Sequence, residues 1–420
     1  MSGCQPRQTP KRGYDRAMPQ SLIAQARALS PRIVELRRAI HAEPELGLMT
    51  PKTRDKVRAA LAHLPLEWRE GPSTTGLVAT LKGGAGPGRS VLLRGDMDAL
   101  PMPEETGLPF ASTVPGAMHA CGHDAHTAML AAAAEVLCAR ADRLAGEVRF
   151  MFQPGEEGHH GARFMLDDGL LGGGGNGPLP DAAFALHIMP NAPHGLVGGR
   201  AGPLMAAADQ LEILVEGAGG HASMPHQTLD PVPVACEIVT ALQAMVTRRF
   251  DVHDPVVVTI ARIEGGSAHN VIADRASLKG TMRTLSPASR ARLHDAVRQL
   301  AVGIAAAHGL EARVHIIEGF PVTICDARAV DFGEAVTREM FGETAFRRLD
   351  APIMGAEDFA YVLEKVPGAM FFLGVAHAGE DWTQCCGIHS PRMMIDETAM
   401  PQGAALLAGL AERFLARGFD

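Results

Sequence analysis

The chain has 420 residues, which corresponds to two or three domains at about 150 residues each. Hydrophobic residues make up 46% and charged residues 20%, a composition that excludes a wholly disordered, collagen-like or coiled-coil chain. The formal net charge is −8, and a chain without surplus Lys and Arg is not expected to bind nucleic acid or an anionic membrane.

No segment predicts a membrane span or a secretion signal. The longest uncharged stretch, between Asp181 and Arg200, contains prolines, histidines and glycines, whereas a bilayer helix needs about 20 predominantly apolar residues. The basic N-terminal segment has no apolar run behind it before Pro19. Seven cysteines, odd in number and scattered, do not indicate a disulfide framework. We therefore expect a cytoplasmic protein with reduced thiols.

The first part of the chain alternates helical and strand patterns. A polar leader, expected to be flexible, covers residues 1–17. Apolar residues then recur at helical spacing from Leu22 to Ile40, in one helix or in two that separate at Pro31. The pair Thr50 and Pro51 opens another helix, and the glycines at 172–175 predict a flexible loop. Strands are predicted at 76–82, 90–95 and 147–153, and a helix at 124–140. This alternation indicates an α/β fold with a mostly parallel sheet.

The middle of the chain has a different order of elements. Between about 209 and 318 the patterns predict strand, helix, two strands, helix and strand, the βαββαβ order of a ferredoxin-like unit that closes its own small core. We therefore predict an inserted domain at 203–318 and a discontinuous main domain at 18–202 plus 319–420. In the returning part, helices are predicted near 326–341, 357–365 and 398–417, and a strand at 369–375.

Side chains typical of metal ligands lie in five distant segments, each expected near a strand end. These segments are Asp96–Asp98, Cys121–Asp124, Glu156–Glu157, His187 and His389. Because open α/β sheets build their sites at the carboxyl ends of strands, the five segments can converge. A thiolate can bridge two metal ions, and imidazole suits zinc or manganese. The alternative for Cys121 and His123 is a buried cysteine beside a helix-capping Asp124.

The paired carboxylates of Glu156 and Glu157 follow a strand and a Pro-Gly turn. Adjacent carboxylates repel, so burying both requires a cation, and one can bind the metal while the other abstracts a proton. The pair can also be a solvated loop tip, and His187 and His389 can each be a structural histidine. Taken together, one thiolate, three imidazoles and one carboxylate suffice for two divalent ions, with Glu156 left as a base.

Six ordered motifs make a family resemblance specific. The chain resembles the dinuclear metal-dependent aminoacylase and carboxypeptidase family, in its hippurate hydrolase and auxin-conjugate hydrolase branch. The resemblance runs from about residue 30 to 410. It is carried by residues 94–101 (RGDMDALP), 118–126 (MHACGHDAH), 152–158 (FQPGEEG), 220–226 (GHASMPH), 355–359 (GAEDF) and 389–392 (HSPR).

The resemblance implies a catalytic domain with two divalent metal ions, Zn²⁺ or Mn²⁺ with Co²⁺ or Ni²⁺ as further options, and an inserted lid that also forms a homodimer. It implies Glu156 as the general base, with Asp98 close to the metals, and His221 as a lid residue that stabilises the oxyanion in a neighbouring active site. The metal ligands that it implies are Cys121, His123, Glu157, His187 and His389. Asn270 and Arg283 are the implied lid residues that hold the substrate carboxylate.

The activity that this resemblance implies is hydrolysis of the amide bond of a small N-acyl-L-amino acid, with an acetyl or aromatic acyl group, to a carboxylic acid and a free amino acid. Three alternatives remain at this stage. The first is a dipeptidase or carboxypeptidase, since a peptide is also an acylated amino acid. The second is a thiol hydrolase that uses Cys121 and His123, and the third is a metal-binding protein without catalytic activity.

Overall fold

A computed structural model describes residues 17–172 and 177–420. The predicted flexible leader, apart from Ala17, and the predicted glycine loop, apart from Gly172, lie outside the described residues. No helix in the described ranges combines the length and the hydropathy that a bilayer span requires.

Ten α-helices are found in the described ranges, and most begin and end close to their predicted positions. The helix pair at the start separates before Ser30, so that Pro31 lies in the first turn of the second helix, where its missing N–H costs nothing. In chain order the helices are α1 Ala17–Ala28, α2 Ser30–His41, α3 Pro51–Leu61, α4 His123–Cys138, α5 Gly161–Asp167, α6 Pro231–Arg249, α7 Pro287–Ala307, α8 Ala327–Phe341, α9 Ala360–Leu363 and α10 Met400–Arg417.

The predicted helix at 357–365 is wrong in length, because α9 covers only the four residues Ala360–Leu363. The Glu357 carboxylate accepts the backbone N–H of Phe359 at 2.8 Å, and both Glu357 and Asp358 form ion pairs with Arg94. These contacts hold residues 357–359 outside the helix.

The strands form two principal sheets. In chain order they are β1 Glu67–Glu70, β2 Leu77–Lys82, β3 Ser90–Asp96, β4 Glu147–Gln153, β5 Ala182–Met189, β6 Val197–Gly199, β7 Gly202–Met205, β8 Ala207–Glu216, β9 Gly220–His221, β10 Val256–Gly265, β11 Val271–Ile272, β12 Arg275–Thr284, β13 Glu311–Glu318, β14 Thr323–Cys325, β15 Phe346–Arg348 and β16 Gly368–Gly374. Eight of them form a large sheet in the order β1-β2-β4-β3-β5-β16-β6-β15.

The centre of the large sheet is parallel, as predicted. β3 pairs in parallel with β4 and β5, and β5 pairs in parallel with β16. Helix α4 packs against this sheet and against α10 and α2, and 14 of its 16 residues are buried. A helix that is apolar on all sides is stable only between other layers. Because α4 begins at His123, this packing fixes the position of a predicted ligand.

The inserted unit has the predicted ferredoxin-like order. Strands β8, β10, β12 and β13 form a four-stranded antiparallel sheet in the order β10-β12-β8-β13, with α6 and α7 against it. Its buried residues form a hydrophobic cluster separate from that of the large sheet. The sheet of this unit begins at Ala207, since β7 pairs instead with β14 in a small sheet of its own.

Candidate metal centre and active site

The parallel strands at the centre of the large sheet deliver three of the five predicted segments to one edge. Asp96 ends β3, Glu156 and Glu157 follow β4, and His187 lies near the end of β5. Because β3 is the parallel neighbour of both β4 and β5, the carboxyl ends of all three strands meet.

The segment with Cys121 and His123 reaches the same edge from the start of α4. Gly122 between them has φ +85°, and a Cβ at this position would lie 2.4 Å from Ile188, the neighbour of His187. Only glycine fits this close approach and this backbone conformation. The Nδ1 atom of His123 lies 2.8 Å from the backbone oxygen of Asp98, which leaves Nε2 facing the site.

The turn with Glu156 and Glu157 is held by a carboxylate. Both backbone N–H groups of the pair donate to the side chain of Asp98, at 2.9 Å and 3.0 Å. Asp98 is buried and also orients His123 through its backbone. The predicted proximity of Asp98 to the ligand cluster is present in the structure, and its contacts are with the groups that carry the ligands.

His389 does not lie near a strand end, contrary to the expectation for all five segments. It lies in the long loop between β16 and α10, where its backbone has φ +63°. Its N–H donates to the backbone oxygen of Ala120 at 2.7 Å, so the loop is fastened beside Cys121. A non-glycine residue in the left-handed region is uncommon and is found where the surrounding structure imposes it, often at functional sites.

The five predicted ligands lie together. The ligand atoms of Cys121, His123 and His187 lie within 4.8 Å of one another, and so do those of Cys121, Glu157 and His389. The Cys121 Sγ atom is 3.4 Å from His187 Nε2, and His389 Nε2 is 3.2 Å from Glu157 Oε1. These are two groups of three donors that share one sulfur.

The donor set fits two divalent ions. In the described ranges, the buried His123 Nε2 atom makes no hydrogen bond, although burying a polar atom without one is costly. Thiolate, imidazole and carboxylate are the ligands that zinc and manganese accept in proteins. A cation bound at His123 Nε2 would supply the partner that this buried atom lacks.

Electrostatics distinguish the two adjacent glutamates. Burial raises the pKa of Glu156 well above its ordinary value, and the nearby Glu357 and Glu157 carboxylates raise it further. Burial also acts on Glu157 and would raise its pKa, but contacts with His389, His123 and Cys121 together outweigh burial and lower the pKa of Glu157. Glu156 is therefore the stronger base of the two carboxylates and Glu157 the more readily ionised, the separation that a base and a ligand need.

The same electrostatics weaken the thiol alternative. Burial is the largest influence on Cys121 and raises the pKa of its thiol. A nucleophilic cysteine requires a lowered pKa, because the thiolate is the reactive form. The histidines around Cys121 thus do not activate it, whereas a bound metal ion would deprotonate it.

The predicted lid residues are not in the cluster. His221 is exposed on β9, and Asn270 lies beside it, since the Asn270 backbone oxygen accepts the N–H of Ala222. Within residues 17–172 and 177–420, no hydrogen bond or ion pair joins either side chain to the five ligands. Arg283 is closer, because it lines a cavity of about 200 Å³ together with Gly158, the residue after Glu157.

Three buried residues at the site, Arg94, Asp96 and His126, had no individual role in the sequence prediction, although Asp96 lies in one of the five predicted segments. Asp96 lies 2.6 Å from His126 Nδ1, and His126 Nε2 accepts the N–H of Ile188, so this pair fixes the backbone next to His187. Arg94 forms ion pairs with Asp96, Glu357 and Asp358. The signal in the sequence is the clustering of these residues in the same motifs as the ligands.

Comparison with known proteins agrees with this geometry. The model of Peptidase family M20/M25/M40 matches residues 92–413. An N-acetylcysteine deacetylase of Bacillus subtilis is 36% identical over 92% of this chain and 97% of its own length. Thermostable carboxypeptidase 1 of Saccharolobus solfataricus is 35% identical, over 94% of this chain and 98% of its own. IAA-amino acid hydrolase ILR1-like 4 of Arabidopsis thaliana is 36% identical, over 91% and 86%.

A solved structure gives the same result for the fold. A dinuclear metal-binding peptidase of the M20 family from Bacillus subtilis superimposes with a TM-score of 0.78 and is 34% identical. The similarity covers 93% of this chain and 99% of that one. The mostly parallel α/β fold that the sequence predicts is thereby confirmed.

Proposed function

Because the chain belongs to Peptidase family M20/M25/M40, as its motifs predict, we propose that it hydrolyses the amide bond of small N-acyl-L-amino acids with the help of two divalent metal ions. The observation that carries this proposal is the convergence of five ligand-type side chains, among which the buried His123 Nε2 atom makes no hydrogen bond in the described ranges. The N-acyl substrate class rests on similarity to deacetylases and amino acid conjugate hydrolases over nearly the whole chain.

The proposed ligand set is the one that the motifs imply. Cys121 would be shared between two ions, with His123, His187, Glu157 and His389 completing the two groups of donors. When bound, such ions polarise a carbonyl oxygen and lower the pKa of water toward about 7. Zinc and manganese are the proposed ions, and cobalt or nickel would also suit this donor set.

Glu156 is the proposed general base. Its carboxyl lies within reach of the ligands, with Oε2 3.9 Å from His123 Nε2, but it belongs to neither of the two groups that share Cys121. It would take a proton from the attacking water and return it to the leaving amine. The raised pKa of Glu156 suits the first of these steps, because a carboxylate with a raised pKa accepts a proton from water more readily than an ordinary one does.

Arg283 is the proposed contact for the substrate carboxylate. Its guanidinium donates to the Thr281 hydroxyl and to the Met282 backbone oxygen, and in the described part of the chain it forms no ion pair. The nearby Asp209 carboxylate is already held by Arg290 and His294. A half-buried cation without a carboxylate partner, facing a cavity beside Gly158, suits an anionic group of the substrate.

The other two lid residues, His221 and Asn270, could reach an active site only in a second copy of the chain. We propose a catalytic domain of residues 18–202 plus 319–420 and a lid of residues 203–318 that forms a homodimer. His221 and Asn270 would then act at the active site of the partner, which agrees with their exposure and their separation from the cluster of their own chain. A cytoplasmic location remains a prediction from the sequence.

A carboxypeptidase is the second candidate, favoured by the similarity to thermostable carboxypeptidase 1 over 94% of the chain. A peptide with a free carboxylate would meet the same Arg283 and the same donors. The two functions differ only in whether the acyl part is a simple carboxylic acid or an amino acid. The cluster itself does not distinguish them.

One experiment tests both proposals. Protein stripped of metal with a chelator is assayed on N-acetyl amino acids, N-benzoyl amino acids and dipeptides, before and after zinc, manganese or cobalt is restored. We expect no hydrolysis without metal, recovery with metal, and the highest kcat/KM on an N-acyl amino acid. The highest kcat/KM on dipeptides would favour the carboxypeptidase, and full activity without metal would exclude both.

A further inference from the structure

A strained histidine, His160, has no assigned role and follows the turn that carries Glu156 and Glu157. In the described part of the chain, only His160 and His389 among non-glycine residues have positive φ, and His389 is a proposed ligand. His160 has φ +59° and ψ +36° and precedes α5. Strain of about 1–2 kcal/mol at a non-glycine residue persists only where other contacts hold the backbone in place.

The contacts that hold His160 lead to the inserted unit. The His160 Nδ1 atom lies 2.8 Å from the Tyr361 hydroxyl, and the same hydroxyl donates to the backbone oxygen of Gly319 at 3.2 Å. Since the phenol has one proton and gives it to Gly319, Nδ1 of His160 is the donor to Tyr361. The His160 ring also meets Phe320 edge to face, with centroids 5.0 Å apart.

Gly319 lies where the chain leaves the inserted unit. It follows β13 directly, and a Cβ at Gly319 would lie 2.0 Å from the backbone oxygen of Ala208, at the start of β8. The two connections of the unit therefore run side by side here. The N–H of Gly319 donates to Asp209, a buried carboxylate that Arg290 and His294 also hold.

At their other end, these contacts reach the turn that carries Glu156 and Glu157. The N–H of Gly161 donates to the backbone oxygen of Gly155, so residues 155–161 form a closed loop that contains Glu156 and Glu157. Asp98 holds one side of this loop through the two glutamate N–H groups. His160 and Tyr361 hold the other side.

We propose that His160 and Tyr361 are positioning residues that connect Gly319, where the chain leaves the inserted unit, to the turn bearing Glu156 and Glu157. Through this connection, movement of the inserted unit reaches the proposed base and one proposed ligand. The kinetic part of this inference rests on the proposed hydrolase function, whereas the connection itself does not. Arg200 provides a matched control, because it lies where the chain enters the inserted unit. Its guanidinium donates to the backbone oxygens of Pro203, Leu349 and Asp350 and not to the turn with Glu156 and Glu157.

The first test measures backbone amide hydrogen exchange in the zinc-loaded full chain. Tyr361→Phe keeps the ring and removes the hydroxyl, so we expect exchange in residues 155–161 to rise about fivefold to tenfold, as the loss of one or two hydrogen bonds implies. Arg200→Met should leave exchange in that segment at the wild-type rate. Unchanged exchange in Tyr361→Phe, or an equal rise in Arg200→Met, would overturn the proposal.

The second test is kinetic. In Tyr361→Phe, displacement of the turn should lower kcat about fivefold to tenfold while KM stays constant, because Arg283 is not altered. Zinc content is measured in the same samples, so that kcat is expressed per zinc-loaded chain. A purely structural role would lower thermal stability without this selective loss of kcat. If the wild type hydrolyses no compound of the panel, the proposed function fails and the exchange experiment alone decides the connection.

A double-mutant cycle separates this connection from two independent effects. His160→Asn tolerates the left-handed backbone and retains a polar amide, so it should keep more activity than His160→Ala. Tyr361→Phe combined with His160→Ala should be no worse than the more damaging single change, because both break the same link. Additive losses in kcat would overturn the proposal.

Discussion

The side chains of the ligand cluster and the predicted site residues of the inserted unit differ in their burial and in the contacts that hold them. Cys121, His123 and His187 are buried at the edge of a parallel sheet, Glu157 is partly buried and His389 is exposed. Further contacts fix the ligands, as Asp98 fixes His123 and Ala120 fixes His389. On the inserted unit, His221 and Asn270 are exposed and have no contact with the cluster in the described ranges. On the proposed function, the metal centre would form within one chain before substrate binds, whereas the lid would contribute only after movement or assembly.

The largest expected effect is at Glu156, the proposed base beside the ligand cluster. Glu156→Gln keeps the size of the side chain but cannot accept a proton, so we expect kcat to fall about 10³-fold with bound metal unchanged. Metal content by atomic absorption and turnover on the best substrate of the panel provide the measurement. Glu105→Gln, a change in a loop carboxylate outside the ligand groups, is the control. Retention of more than about a tenth of wild-type kcat would remove Glu156 from the role of base.

The next effect tests the separation of lid and cluster between chains. His221→Ala removes the proposed oxyanion donor and should lower kcat about 10²-fold. Mixing His221→Ala with Glu156→Gln chains creates hybrid dimers with one intact site, which should restore about a quarter of wild-type activity. A sample in which every chain carries both His221→Ala and Glu156→Gln gives the baseline activity. Failure to recover activity, although subunits exchange, would show that His221 acts within its own chain or not at all.

A smaller effect concerns the support of the ligands rather than the ligands themselves. Asp98→Asn weakens the acceptor for the Glu156 and Glu157 backbone N–H groups, so we expect metal affinity to fall about 10- to 100-fold. Competition with a chromogenic chelator measures this change. Asp274→Asn, which alters a carboxylate that accepts a backbone N–H in the inserted unit, should leave affinity unchanged.

The smallest effect is on stability and comes from a buried group behind the cluster. Burial alone would lower the pKa of His41, but the Asp124 carboxylate at 2.8 Å outweighs it and raises the pKa to about 9. A pKa raised on folding gives stability that is complete below about 6.5, the ordinary histidine value, and is lost as the pH rises through about 9.

Urea denaturation between pH 6 and 10 measures this contribution. The free energy of unfolding of the wild type should fall over this range, and His41→Gln should fall less steeply. His253→Gln, at an exposed histidine, should follow the wild-type curve. Parallel curves for the wild type and His41→Gln would contradict the assignment of this decline to His41.

The sequence predicted the sheet and the inserted unit because both follow from local patterns. Strand β4 and the turn with Glu156 show this well, since an apolar run followed by Pro154 and Gly155 has few other conformations. The converging ligands were predicted because parallel neighbouring strands end at one edge. The family motifs then added roles that spacing alone left open.

Other features could not be read from local patterns. The loop that carries His389 is positioned by a backbone hydrogen bond to Ala120, more than two hundred residues away in the chain. The shortness of α9 depends on ion pairs between Arg94 and the residues before the helix. Asp96 and His126 also depend on tertiary contacts, because their importance lies in the groups that they orient.

The most direct test of the central claim is a crystal structure of the zinc-loaded protein with anomalous diffraction recorded at the zinc edge. We predict two strong anomalous peaks, with Cys121 Sγ bound to both and His123, His187, Glu157 and His389 at about 2.0–2.3 Å from one or the other. A single peak, or peaks bound to other residues, would contradict the proposed metal centre.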